Sequence, residues 1–142
     1  MKTFLLILSV FLYTAVSSAQ KINAAKVPAS VNSNFNAKFP NASKVKWEKE
    51  KENYEASFIV NQTEQSALLN SVGELIETEI EITNKELPKN VLPYVASKYP
   101  GKKISETSKI TSAQGLITFE IEIKGKDLIF DNNGFLIKEI IQ

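Results

Sequence analysis

Glu77, Glu79 and Glu81 occupy alternate positions of one run, and Glu120 and Glu122 repeat that arrangement later in the chain. On an extended strand, residues two apart share a face at a spacing of about 7 Å. Glu48, Glu50 and Glu52 offer the same pattern earlier on. Such carboxylates can do one of two things. Converging from neighbouring strands, they supply the hard oxygen ligands that calcium takes. Held apart, they form a solvated acidic face with Lys44, Lys46 and Lys124 as cross-strand partners. Glu77, Glu79, Glu81, Glu120 and Glu122 are therefore the candidate metal ligands, with calcium the implied ion. Asp127, Asp131, Asn132 and Asn133 ahead of Gly134 share the composition of a calcium loop but lack its spacing and closing Glu. A hairpin with Asn-Gly in a type I′ turn accounts for them better.

Other chemistry is removed by composition. The chain has no His, no Cys and no Arg; all 17 basic residues are Lys. There is no imidazole to serve as a general base near neutral pH, no thiolate nucleophile, no disulfide and no soft ligand for zinc. There is no guanidinium fork for phosphate or guanine. Ser57, Ser66 and Ser71 stand in no glycine elbow and have no His to activate them. No catalytic residue is identified, and the expectation is a protein without enzymatic activity.

Lys2, the apolar stretch from Phe4 to Val16 and the small residues Ser17-Ser18-Ala19 read as a signal peptide over 1–19, leaving Gln20 as the first mature residue. No Cys follows the cut, so no lipid anchor is expected. The mature chain would carry 16 Lys against 16 acidic residues. A balance near zero gives no basic stripe for nucleic acid and no patch for anionic lipid. The expected location is periplasmic or secreted.

The elements that must position these residues are written twice. Lys38-Phe39-Pro40 and Lys98-Tyr99-Pro100 lie sixty positions apart. Val27, Val31, Phe35 and Phe39 form an apolar stripe at steps of four, repeated by Val91, Val95 and Tyr99; Pro28 suits a helix start, and Pro40 and Pro100-Gly101 are stops. After each helix the period falls to two. Val45 and Trp47, then Tyr54 to Val60, Glu64 to Asn70 and Leu75 to Ile82 are strand runs; Ile104 to Thr111, Leu116 to Lys124, Asp127 to Phe130 and Phe135 to Ile141 answer them. Short turns rich in Gly, Asn and Asp link neighbours as antiparallel hairpins. The predicted fold is α+β: two tandem helix-plus-four-strand antiparallel repeats, 27–82 and 87–141, with the helices packed on one face of the sheet. Gln20 to Lys26 reads as a flexible polar leader, and 27–142 as a single domain. Trp47 and Phe58 are assigned to the core beneath the first helix.

The paired Phe-Pro and Tyr-Pro helix ends, the secretion signal and the ending Phe130-Asp131-Asn132-Asn133-Gly134-Phe135-Leu136-Ile137-Lys138 together resemble the bacterial PepSY-like group, also described as β-lactamase-inhibitor-like. The resemblance spans nearly all of Val27 to Ile141. It implies a periplasmic or secreted protein whose repeats form a curved antiparallel sheet backed by helices. Related domains are associated with inhibiting or restraining enzymes, secreted peptidases among them. It carries over no catalytic residues, and a β-lactamase target does not follow from shape. The expected role is a non-catalytic binding module that engages a protein partner, such as an enzyme to be inhibited, through its open sheet face and hairpin tips. Tyr54, Glu79, Glu122 and Phe135 are the candidate contact residues. Free strand edges would also permit a homodimer.

Overall fold

In the computed structural model, residues 19–142 are described. The expected signal peptide, apart from Ala19, lies outside the described residues. The chain forms one sheet of nine strands in sequential order, every pair antiparallel. They are β1 (Gln20–Ile22), β2 (Ser43–Glu50), β3 (Asn53–Val60), β4 (Thr63–Leu69), β5 (Leu75–Glu81), β6 (Ile104–Ser112), β7 (Ile117–Ile123), β8 (Lys126–Asp131) and β9 (Leu136–Ile141). Helix α1 (Ala29–Lys38) precedes β2, and α2 (Val91–Lys98) precedes β6. The α+β class is as expected.

Four findings refine that expectation. Gln20–Ile22, read as part of a polar leader, is a strand paired to Lys49, Glu48 and Trp47 of β2. The sheet is continuous, because β5 pairs with β6 from Glu77↔Ser112 to Glu81↔Ser108. Thr83 to Glu86, the segment between the two predicted repeats, closes as a tight turn in which Thr83 N–H and Oγ1 donate to Glu86 Oε2 at 2.8 and 3.0 Å. Finally, the helices do not form a common layer over one shared core. Each sinks into its own cluster.

The first cluster joins Val31 and Phe35 of α1 to Trp47, Ala56, Phe58, Ala67 and Leu69. Phe35 is its hub, with ring centroids 5.2 Å from Trp47 and 5.1 Å from Phe58 in edge-on geometry. The second joins Val91 and Val95 of α2 to Phe119, Ile121, Ile123, Leu128 and Phe130. Alternation explains both, since every second strand residue faces the helix. Between the clusters the same face carries Thr78 opposite Thr111 and Ile80 opposite Lys109, a seam with little to bury.

Three hairpin loops share one device. Asn70 Oδ1 accepts from the N–H groups of Val72 and Glu74, and Asp131 Oδ1 accepts from those of Asn133 and Phe135, all between 2.9 and 3.1 Å. Ser112 Oγ takes the N–H of Leu116. Each loop closes on a left-handed glycine: Gly73, Gly115 or Gly134. The expected type I′ turn at Asn133-Gly134 is thus corrected. Only Gly134 has positive φ there, whereas type I′ needs two such residues. The Asp131 carboxylate is occupied with clamping its own loop.

Two of these glycines also hold the helices. Gly73 O accepts from Asn34 Nδ2 of α1 at 3.0 Å, and Gly134 O accepts from Asn90 Nδ2, just before α2, at 2.7 Å. The turn backbone therefore lies directly against each helix, with no room for a side chain.

Candidate functional site

The strand register gathers the acidic residues on the face away from Trp47, Ala56 and Phe119. One row runs Glu48, Glu55, Leu68, Glu77 and Ser112 across β2 to β6. The next runs Lys46, Ser57, Ser66 and Glu79 across β2 to β5. A third runs Glu81, Ser108 and Glu120 across β5 to β7. Glu106, Glu122 and Asp127 form a fourth on β6, β7 and β8.

Little neutralises this charge. Among the described residues there is a single ion pair, Lys126 to Glu139 at 2.8 Å, and it involves none of the row residues. The expected pairing of Lys44, Lys46 and Lys124 with the acidic strands does not form. Register gives the reason for each. Lys46 faces Ser57, Lys44 sits in a bulge with φ 54° that takes it out of the ladder, and Lys124 lies in a turn beyond β7.

Burial and mutual repulsion act together on the carboxylates. Glu120 is pushed up to about 8, first by burial and then by Glu79, Asp127, Glu106 and Glu122. Burial likewise raises Glu106, with Glu79, Glu122 and Glu81 adding to it. Glu77 is raised by burial, Glu79 and Glu50, and Asp127 by burial and Glu122. Glu55 is raised by burial against an opposing hydrogen bond from Ser66. These are the shifts expected of like charges on a partly desolvated surface.

On this face β2 to β6 line an open groove of about 490 Å³. Lys44 and Lys46 lie on its β2 side, Glu79, Glu81 and Glu106 on its β5–β6 side, and Ser57 and Ser66 between.

The candidate metal ligands all stand on this face, but on strands that are not neighbours. Glu77, Glu79 and Glu81 are on β5 and Glu120 and Glu122 on β7, with β6 between. Two strand spacings, about 10 Å, separate them. Among the described residues no three acidic groups are close enough to hold a metal ion. The contact candidates are scattered. Glu79 and Glu122 share the acidic face. Tyr54 lies on the other, half-buried against the first cluster, with Lys49 Nζ 5.0 Å from its ring centroid. Phe135 is 64% exposed at the β8–β9 loop. Trp47 and Phe58 are buried as expected. Sequence reading did not single out Glu55, Glu106 or the Ser57–Ser66 floor. Their alternation was visible, but their grouping depends on which strands pair.

No curated protein matches the chain in sequence. Among solved structures, a "putative periplasmic" protein of Bacteroides eggerthii superposes with a TM-score of 0.71 at 16% identity, covering 80% of this chain and 87% of its own. A DUF2874 family protein of Bacteroides ovatus gives 0.66 at 21%, over 79% and 85%. A BLIP-like protein of Bacteroides fragilis gives 0.61 at 23%, over 79% and 84%. These likenesses establish the fold. The family described as "Putative beta-lactamase-inhibitor-like, PepSY-like" matches twice, over 14–76 and 54–138, which fits a repeat. The chain therefore belongs to the PepSY-like, β-lactamase-inhibitor-like family.

Proposed function

We propose that this protein is a non-catalytic periplasmic or secreted module that binds a protein partner through the acidic sheet face, and that binding restrains that partner. The observation that carries the reading is the unneutralised acidic face around an open groove, a surface that complements a cationic patch. Family membership supports an inhibitor-like role, and the eggerthii relative supports the location. Among the described residues no helix is long and apolar enough to cross a membrane. We read the two halves, α1 with β2–β5 and α2 with β6–β9, as copies of one unit whose acidic rows merge into one binding surface.

The test is capture of a partner by the immobilised mature domain, compared with Glu79→Lys and Glu122→Lys. Each reversal is expected to weaken capture about tenfold while leaving the circular dichroism spectrum unchanged. The wild-type interaction should also weaken as salt rises from about 0.05 to 0.5 M. Capture that ignores both charge reversal and salt would refute the acidic face as the contact surface.

A second reading gives the same face a calcium response. The raised carboxylates favour it, since a cation would relieve their repulsion if the side chains regrouped around it. Melting is expected to rise by several degrees in calcium at a hundred times its dissociation constant, and not in magnesium. The rise should vanish when Glu77, Glu79 and Glu81 become Gln. An identical melt in chelator and in calcium rejects this reading.

A further inference from the structure

We propose that the groove over β3 and β4 binds a short peptide with both termini free, its carboxylate toward Lys44 and Lys46 and its ammonium toward Glu79 and Glu81. The groove differs from a plain acidic patch because it has two oppositely charged sides. One register row, Lys46–Ser57–Ser66–Glu79, runs straight across it. Among the described residues neither lysine forms an ion pair, and neither do the facing glutamates. Both sides therefore offer charge without a partner, and the 490 Å³ between them falls within the range of small-ligand sites.

The dimensions fit a short chain. Three strand spacings separate the ends of the row, about 14 Å between backbones. A lysine and a glutamate reaching inward shorten that to the order of 10 Å, the length of about three extended residues. Ser57 and Ser66 lie at the middle of the floor, with Glu55, Ile59 and Glu64 on the same two strands around them, so a peptide backbone over the two hydroxyls can lie low and find donors and acceptors there. A purely cationic ligand would leave Lys44 and Lys46 unmatched, and a purely anionic one would oppose the glutamates. A zwitterion satisfies both sides.

The inference shares its face with the partner reading but does not depend on a partner being found. It is tested by titrating the isotope-labelled mature protein with trialanine, N-acetyl-trialanine and trialanine amide, following backbone amide resonances. Free trialanine is expected to shift residues around Ser57 and Ser66 with a dissociation constant below about 1 mM. Each blocked peptide should bind at least fivefold more weakly. In Lys46→Gln, free trialanine and its amide should bind alike. Equal binding of all three peptides to the wild type, or no shift at about 10 mM, overturns the proposal. Tight binding of the amide alone also overturns it, and assigns the groove to basic segments of a partner protein. Loss of partner capture on charge reversal with no trialanine binding separates the two readings in one direction; trialanine binding without any partner separates them in the other.

Discussion

Gly134→Ala and Gly73→Ala are each expected to lower stability by about 3 kcal/mol, read as a fall in the urea midpoint followed by the fluorescence of the single tryptophan. Two costs combine. Both residues have left-handed backbone, with φ of 80° and 90°. A side chain there costs about 1 kcal/mol on conformational grounds alone. The second cost is steric. A Cβ on Gly134 would stand 2.3 Å from Asn90 Oδ1 and 2.8 Å from Pro88 Cβ; on Gly73 it would stand 2.7 Å from Ser30 O, a backbone atom that cannot rotate away. The helix must back off its turn, breaking the Asn90 or Asn34 hydrogen bond and loosening the cluster below. Gly101, Gly115 and Gly125 provide the control. Their φ values are also positive, but a Cβ on any of them would meet nothing within 4 Å. Alanine there should cost only the conformational share, about 1 kcal/mol. Equal losses at all five positions would mean that the helix–turn contact contributes nothing.

Glu120→Gln has the opposite sign. The folded protein keeps the Glu120 proton up to about pH 8, whereas the ordinary value is 4.5. Between those values the folded state binds more protons than the unfolded one, so raising the pH favours unfolding. Burial is the main cause, and the carboxylates of Glu79, Asp127, Glu106 and Glu122 add to it. Removing the charge should stabilise the protein by about 2 kcal/mol at pH 9, a figure reduced for the water that screens a partly exposed group. At pH 5, where Glu120 is already neutral in the fold, the variant and the wild type should nearly coincide. Urea midpoints at the two pH values decide the matter; a gain of the same size at both would trace to packing rather than charge. The wild type should itself weaken from pH 5 to pH 9, because Glu55, Glu77, Glu106 and Asp127 are raised in the same way.

The parts of this molecule set by local periodicity were readable from the chain. The stripe Val31–Phe35 gave α1, and the alternation of Trp47, Tyr54 to Val60 and Leu75 to Ile82 gave the strands and their buried sides. Other features were not, for physical reasons. A three-residue strand such as Gln20–Ile22 has no period to detect. The bulge at Lys44 breaks the ladder with no glycine to announce it, and it takes Lys44 out of the cross-strand register. The continuity of the sheet rests on β5 meeting β6 across the α2 segment, a non-local pairing. The same pairing sets the acidic face. Glu120 gains its high proton affinity first from burial and then from carboxylates on β5, β6 and β8 as well as its own strand, and no window along the chain contains all four.

The strictly sequential strand order has a consequence for how the chain is made. Every ladder joins a strand to one already present or next to appear, and no early strand waits for a late one. The first cluster draws only on residues up to Leu75, so it can close while the rest is still on a ribosome. That order leaves β5 as the edge onto which the second half can add. Emergence from one end thus becomes an assembly order, and the edge on which each new strand is laid is always the most recent one.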